Sequence, residues 1–304
     1  MNRQVCALIV SLFLLSSCGV VAPPVVPTSS GSSAPSSPTP VVSASGSPTH
    51  VSPVPPIAVD SPSPTASVPG RRTLRTPPQG ARWQIQYTGT LSIAGARIVD
   101  IDGAEATAAT VATIHAAGAY AVCYINAGGW EDWRPDAAAF PAAVLGSDLD
   151  GWKGERWLDV RRLDVLVPIM AARMDDCAGK GFDAVDPDNV DGYDNDPGFP
   201  LSAADSLAYL RALTSAAHER GLAIGLKNAT GLIAPLADVV DFAVNEQCVE
   251  YGECGAYAPL LARGKAVLHV EYTGTIADIC ASRPRQFSTV LKDVSLDARV
   301  QSCP

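Results

Sequence analysis

From residue 83 onward, short apolar runs alternate with longer segments of helical character. Several helical segments end in a glycine that is followed at once by an apolar run, as at Gly118, Gly181, Gly221 and Gly264. A glycine in the left-handed conformation ends a helix without the steric cost of a side chain. Strands that alternate with helices pair in parallel. The pattern therefore predicts an α/β fold built on a parallel sheet.

Eight apolar runs are candidate strands, and eight is the number that closes a barrel. They are Trp83–Tyr87, Arg97–Asp102, Tyr120–Asn126, Phe182–Asn189, Leu222–Asn228, Phe242–Cys248, Ala266–Tyr272 and, less sharply delimited, Ser288–Lys292. The alternative is an open doubly wound sheet, but the chain has neither a Gly-x-Gly-x-x-Gly turn after its first strand nor a P-loop. We predict a single (β/α)8 TIM-like barrel domain over residues 79–304.

The N-terminal part has the features of an export signal and a tether. Arg3 precedes an apolar stretch, and Leu15-Ser16-Ser17-Cys18 resembles a lipobox, in which the cysteine receives a lipid. We therefore predict a lipoprotein signal peptide over residues 1–18, with a plain signal peptide as the alternative. Residues 19–78 are dominated by Pro, Ser, Thr and Val and are predicted to form a disordered linker. The expected location is outside the cytoplasm, at the cell envelope or secreted.

The charge balance disfavours one class of partner. The chain has 22 bases and 31 acids. Only four of those bases and one of those acids precede residue 76, so the remainder carries a net charge of −12. Nucleic-acid binding requires a basic surface, whereas an acidic protein suits a cationic ligand.

The cysteines fit an oxidising compartment. Beyond Cys6 and Cys18 an even number remains, which indicates disulfides. The expected pairs are Cys123–Cys177, Cys248–Cys254 and Cys280–Cys303. A zinc site is the alternative, but the chain has no Cys-x-x-Cys pair and only four histidines. We predict neither a metal nor a cofactor.

Six of the predicted strands are apolar until their last residues and then turn polar. These ends carry Asp100 and Asp102; Tyr124 and Asn126; Asp186, Asp188 and Asn189; Lys227 and Asn228; Asn245, Glu246 and Gln247; Glu271 and Tyr272. In a barrel the carboxyl ends of the strands form the catalytic face. Alternation places Asp186 and Asp188 on one side of their strand. Any one of these residues could serve as a helix cap or a turn residue, but together they indicate a site.

Carboxylates at such a rim fit the cleavage of glycosidic bonds. That reaction needs one protonated carboxyl group and one ionised group, and crowding of acids raises the pKa of one of them. Aromatic residues such as Trp130 and Trp133 could stack on sugar rings, with ordinary packing as the alternative. No Gly-x-Ser-x-Gly turn occurs, so acyl chemistry is unsupported.

Four stretches carry the most specific sequence signal: 123–131, 181–191, 226–228 and 245–248. In these stretches, and between Trp83 and Tyr272 as a whole, the chain resembles the bacterial and fungal endo-α-1,4-polygalactosaminidases, family 114 of the glycoside hydrolases. The resemblance implies a TIM-like barrel that cleaves α-1,4-linked galactosamine in partly deacetylated exopolysaccharides, with Asp188 and Glu246 as the catalytic pair. Asp186 stands where family members often have Glu, so reach or specificity can differ there.

The expected ligand is a cationic amino-sugar polysaccharide, bound by a monomer that contacts the membrane through Cys18. The predicted substrate-binding residues are Asp102, Tyr124, Asn126, Trp130, Asp186, Asn189, Lys227, Asn228, Glu271 and Tyr272. Two other functions remain as alternatives: a Schiff-base aldolase using Lys227, and a non-catalytic surface protein that binds polysaccharide. The sequence leaves open which carboxyl is the acid and whether the anomeric configuration is retained.

Overall fold

The computed structural model of the protein describes residues 74–304. The predicted signal peptide, the Cys18 anchor and most of the predicted linker lie outside the described residues. In the described range, no helix is both long enough and apolar enough to cross a membrane. The chain already contacts the barrel at Arg75, whose guanidinium lies 3.0 Å from the carboxylate of Asp183.

The described range contains twelve strands and six α-helices. The strands are β1 (Trp83–Ile85), β2 (Ile98–Asp102), β3 (Tyr120–Asn126), β4 (Gly129–Glu131), β5 (Leu145–Asp148), β6 (Glu155–Leu158), β7 (Ala184–Asp188), β8 (Ala223–Lys227), β9 (Phe242–Glu246), β10 (Val267–Glu271), β11 (Ser288–Leu291) and β12 (Gln301–Ser302). The helices are α1 (Ala108–Ala116), α2 (Leu163–Lys180), α3 (Ala203–Glu219), α4 (Ile233–Leu236), α5 (Ala258–Leu261) and α6 (Ile276–Ser282).

The main sheet has the order β1-β2-β3-β7-β8-β9-β10-β11-β12, and every pair from β1 to β11 is parallel. β1 lies against β11, so the sheet curves into a nearly closed barrel. The eight parallel strands of this sheet, all but β12, are the eight that the sequence predicts, and the TIM-like architecture is confirmed. The predicted glycines all have left-handed backbones, with φ of 74° at Gly118, 98° at Gly181 and 70° at both Gly221 and Gly264.

Alternation along the strands divides the apolar residues into two cores. One fills the barrel interior and includes Trp83, Val122, Phe242 and Leu268. The other lies between the sheet and the surrounding helices and includes Cys123, Val185 and Ile224. Because Val122 and Cys123 fall in different cores, successive residues point to opposite faces, as strand geometry requires. The same alternation decides which polar residues at the strand ends face the barrel axis.

A three-stranded antiparallel sheet, in the order β4-β6-β5, is inserted between β3 and α2. The sequence pattern did not predict this insertion. Where the chain leaves β3, two backbone segments lie very close together: a Cβ atom on Gly128 would lie 1.7 Å from the carbonyl oxygen of Asn189. In its β4–β6 ladder Glu131 stands opposite Glu155. The insertion therefore brings two glutamates to one edge of the barrel mouth.

Three disulfides join the predicted cysteine pairs. Cys123–Cys177 ties β3 to α2, Cys248–Cys254 closes the turn after β9, and Cys280–Cys303 holds the C-terminal segment against α6. Cross-links of this kind stabilise a fold mainly by restricting the unfolded chain. The expected pairing is confirmed.

Candidate active site

Three neighbouring strands end in polar residues that face the barrel axis: Asp188 on β7, Lys227 on β8 and Glu246 on β9. Each is followed by a residue with positive φ, which turns the chain immediately after the polar side chain. These residues are Asn189 (59°), Asn228 (46°) and Gln247 (64°). Asparagine tolerates this backbone better than most residues do. The Asp-Asn and Lys-Asn pairs in the sequence thus have a local structural cause.

Lys227 links the two acids. It is 3% exposed, and its Nζ lies 3.1 Å from Oδ1 of Asp188 and 3.5 Å from Oε2 of Glu246. Burial alone would lower the pKa of Lys227, but attraction to these two carboxylates raises it well above its usual value. A Schiff base needs a neutral amine, so this environment disfavours the aldolase alternative.

Further donors hold each carboxylate in place. Asp188 accepts hydrogen bonds from the Tyr124 hydroxyl at 3.0 Å and from the backbone NH of Asn189 at 2.8 Å. Glu246 accepts one from Asn228 Nδ2 at 3.1 Å and one from the hydroxyl of Tyr272. The structure thus brings together Tyr124, Asp188, Lys227, Asn228, Glu246 and Tyr272, all of which the sequence predicts as site residues.

A second layer of acids lies deeper in the barrel. Asp100 and Asp186 are both 0% exposed, and none of their carboxylate oxygens has a hydrogen-bond partner among the described residues. Burial, and then repulsion from Asp186, raises the pKa of Asp100 well above its usual value. Burial likewise raises the pKa of Asp186 to about 7, although the attraction of Lys227 opposes the shift. Asp186, predicted to bind substrate, lies beneath the site and does not line its cavity.

Two other predicted residues hold the insertion against the barrel. Asp102 reaches the cavity, but both of its oxygens accept hydrogen bonds of 2.8 Å from the guanidinium of Arg134. Asn126 is buried, and its Oδ1 accepts from the NH of Gly129 at 2.8 Å and from Asn189 Nδ2 at 2.9 Å. Through these contacts Asp102 and Asn126 hold other residues of the rim in place.

Trp130 and Glu271 point away from the cavity. The indole NH of Trp130 donates to the carbonyl of Ala137 at 3.0 Å, within the inserted segment. Glu271 is 1% exposed; its Oε1 accepts from the NH of Val249 at 2.8 Å and lies 2.7 Å from His269 Nε2. Since Tyr272 faces the site, its neighbour Glu271 lies on the outer face of the sheet.

The cavity above Lys227 has a volume of about 370 Å³. Its carboxyl groups outnumber its bases: Asp102, Glu131, Glu155, Asp188, Asp191 and Glu246 line it, with Arg134 and Lys227. Aromatic rings are also present, among them Trp133 and Trp152, and Trp152 is 50% exposed at the mouth. A pocket with excess negative charge and aromatic faces suits a cationic sugar chain.

Sequence reasoning missed Glu131, Arg134, Glu155 and Asp191 as cavity residues. Glu131 and Glu155 come from the insertion, where Gly129-Trp130-Glu131 and Glu155-Arg156-Trp157 alternate as strands do. Burial, followed by repulsion from Glu131 and Asp188, raises the pKa of Glu155 to about 8. The alternation was the available signal, but runs of three residues are too short to identify a strand by pattern alone.

One group of side chains has the spacing of metal ligands: Cys248, Cys254 and His269. The two cysteines form a disulfide with each other. Their sulfurs are therefore not the thiolates that a metal would require.

A parallel barrel that presents two linked carboxylates in an acidic, aromatic-lined cavity has the machinery of a glycoside hydrolase. The family model described as glycoside-hydrolase family GH114 matches residues 64–304, and the chain belongs to that family. The family and the enzyme class expected from the sequence are both confirmed.

Two solved structures show how far the similarity extends. Aspergillus fumigatus Ega3, in complex with galactosamine, is 40% identical over 76% of this chain and 98% of its own, with a TM-score of 0.72. The glycoside hydrolase domain of PelA from Pseudomonas aeruginosa is 15% identical over 73% of this chain and 98% of its own, with a TM-score of 0.58. PelA therefore supports the fold alone. No curated protein sequence matches the chain significantly.

Proposed function

We propose that this protein is an endo-acting hydrolase of α-1,4-linked galactosamine polymers, with Asp188 and Glu246 as its catalytic pair. The observation that carries the proposal is the position of these two carboxylates on either side of Lys227, at the floor of an acidic cavity. The 40% identity to Ega3, solved with galactosamine, supports an amino sugar as the substrate. A galactosamine polymer carries ammonium groups, which an acidic cavity attracts.

We propose further that hydrolysis retains the anomeric configuration. One ammonium nitrogen contacts both carboxylates, so the contacting oxygens are no more than about 6.6 Å apart. Retaining enzymes place the two carboxyl groups about 5–5.5 Å apart, whereas inverting enzymes separate them by about 6.5–9.5 Å to admit a water molecule. A limit of about 6.6 Å excludes nearly all of the inverting range and none of the retaining range, which favours retention.

The contacts with Lys227 favour one division of labour. Each carboxylate accepts two further hydrogen bonds, but the ammonium lies closer to Asp188, at 3.1 Å, than to Glu246, at 3.5 Å. A close ammonium stabilises an anion, which suits the nucleophile that attacks the anomeric carbon. Glu246 is more distant from the lysine and its side chain is 28% exposed, which suits the residue that protonates the leaving oxygen and then activates water.

The test uses the purified protein and de-N-acetylated galactosaminogalactan. We expect the wild type to release shorter oligomers, whereas Asp188→Asn and Glu246→Gln lose activity by roughly 10³-fold or more, because each removes one member of the pair. Glu105→Gln, at an exposed position, is the matched control. Proton NMR should show the α-anomer as the first product. Binding of the polymer without cleavage by the wild type would support a non-catalytic protein.

Azide can assign the two roles. With azide, Asp188→Gly should yield the β-glycosyl azide, because azide attacks from the face that the nucleophile would have used. Glu246→Gly should yield the α-glycosyl azide, because azide attacks the glycosyl-enzyme intermediate from the opposite face. The reverse pattern would exchange the roles.

We also propose that the protein is an exported monomer anchored through Cys18, with residues 19–78 as the tether. Three disulfides support an oxidising compartment. The lipobox resemblance supports the anchor. Mass spectrometry of the mature N-terminus should find an acylated cysteine; an unmodified N-terminus would contradict the anchor.

A further inference from the structure

Glu155 lines the cavity but is not part of the proposed catalytic pair. It begins β6 in the insertion and is 7% exposed. Its Oε2 accepts a hydrogen bond of 3.0 Å from Asn126 Nδ2. Asn126 is itself fixed, since its Oδ1 accepts from Gly129 and Asn189. The carboxyl group is therefore held in one orientation at the cavity wall.

Of the six acids that line the cavity, Glu155 and Asp191 are the two that form no ion pair with a base in residues 74–304. Arg134 pairs with both Asp102 and Glu131, and Lys227 pairs with both Asp188 and Glu246. Within residues 74–304, no lysine, arginine or histidine forms an ion pair with Glu155. Glu131 also stands directly opposite it in the β4–β6 ladder, an arrangement that is unfavourable for two anions.

These surroundings favour the protonated form of the Glu155 carboxyl group in the free protein. The charged groups that act on it are Glu131 on β4, Asp188 on β7 and, with the opposite sign, Arg134 in the segment after β4. Burial and the two acids raise its pKa to about 8, so at neutral pH the group is mostly protonated. A cation placed beside it would reverse this balance and favour the carboxylate.

We propose that Glu155 is a specificity residue that recognises the ammonium group of one galactosamine unit and discriminates against an N-acetylated sugar at that position. The inference rests on the proposed function and deepens it. An ammonium group provides the missing positive charge, whereas an acetamide is neutral and provides none. A buried polar group left without its partner is costly, so discrimination by this means can be strong.

Binding of an ammonium group beside Glu155 should be linked to the release of a proton. At pH 6.5 the free protein carries a protonated Glu155, and the sugar amine is an ammonium ion. The bound pair is a carboxylate with an ammonium, so the proton of Glu155 passes to the buffer. Binding of a deacetylated oligomer should thus release close to one proton, and binding of an acetylated oligomer should release none from this group.

The experiment measures proton release by calorimetry at pH 6.5, in two buffers of different ionisation enthalpy. The probes are deacetylated and fully N-acetylated α-1,4-galactosamine oligomers. The proteins carry Glu246→Gln so that the oligomers are not consumed, with or without Glu155→Gln; Glu105→Gln is the control. We expect Glu155→Gln to abolish the release and to weaken binding of the deacetylated oligomer about tenfold. Affinity for the acetylated oligomer should stay within twofold.

A second readout uses partly acetylated polymer and proteins with Glu246 intact. Mass-spectrometric sequencing of the products should show one position relative to the cut that is always deacetylated with the wild type. Glu155→Gln should admit acetylated units there.

Unchanged proton release in Glu155→Gln would overturn the proposal, as would an equal loss of affinity for both oligomers or an unchanged acetyl pattern in the products. Failure of the deacetylated oligomer to bind would also overturn it. If the wild type binds but does not shorten the polymer, the proposed hydrolysis fails, and calorimetry still decides the role of Glu155.

Discussion

Two layers of carboxyl groups in the barrel have opposite environments: an upper layer, Asp188 and Glu246, at the cavity floor, and a lower layer, Asp100 and Asp186, beneath it. On β7, Asp186 and Asp188 both face the barrel axis and are only two residues apart. Asp188 accepts hydrogen bonds from Lys227, Tyr124 and Asn189, whereas the oxygens of Asp186 have no partner among residues 74–304. Two residues on a parallel strand are about 6.6 Å apart along the strand. That step separates a carboxylate held at the cavity floor from one enclosed by the barrel.

The difference shows that the face of a strand and the depth on that face are separate properties. Alternation fixes the face, and therefore groups the two acids together. Depth decides whether solvent and cationic donors can reach them. The upper layer is organised by one buried ammonium, and the lower layer is made unfavourable for charge by burial itself. Changing the two layers separately should therefore give different kinds of defect.

Removing the ammonium should have the largest effect. In Lys227→Met, Asp188 and Glu246 lose the cation that they share, so they repel each other and lose their common orientation. Removing one preorganised electrostatic group from an active site typically costs a factor of roughly 10²–10³ in kcat, and we expect a fall of that size here. Release of reducing ends measures this loss. The matched control is Lys292→Met, since Lys292 is also buried but donates to Gln84 and the Asp297 carbonyl, away from the acids.

A comparable loss of kcat in both lysine variants would indicate a general effect of removing a buried lysine. It would remove the distinction between the upper layer and the rest of the barrel.

Neutralising the lower layer should change the pH dependence of stability. The pKa of Asp186 rises from 3.8 to about 7 on folding, so the stability associated with its proton is complete below pH 4 and is lost as the pH rises through 7. Asp186→Asn cannot lose that proton. Between pH 4 and pH 8, the free energy of unfolding of the variant should improve relative to wild type by about 1–3 kcal/mol.

Urea unfolding at the two pH values measures this shift, and Asp150→Asn, at an exposed position, is the control. An identical pH dependence for Asp186→Asn and wild type would mean that Asp186 is ionised in the folded protein.

The sequence predicts much of this arrangement because its signals are local and repetitive. Glycines end the helices at Gly118 and Gly181, the strands are long enough to recognise, and alternation brings Asp188 and Glu246 to one face. The family resemblance adds the expectation that Asp188 and Glu246 form the catalytic pair. The barrel and the upper layer of the site follow from these features.

What the sequence does not predict depends on loops and on depth. The insertion has strands of three or four residues, and the bidentate pairing of Arg134 with Asp102 depends on how that insertion folds back. Nothing in the local pattern indicates that Asp186 lies below the cavity. The position of Glu271 is different, because parity with Tyr272 was sufficient to place it on the outer face.

Substitution of Glu271 should have the smallest effect. It tests whether the alternation of side chains along β10 correctly places Glu271 on the outer face of the sheet. Its predicted role is substrate binding, but its Oε1 accepts a hydrogen bond from Val249 and lies beside His269, behind the β10 strand. Glu271→Gln keeps an acceptor but loses the charge, so the free energy of unfolding should fall by about 1–2 kcal/mol. The values of kcat and KM per folded molecule should remain within twofold of wild type. A tenfold rise in KM without a loss of stability would place Glu271 in contact with substrate, and the outer face of the sheet would then contribute to the site.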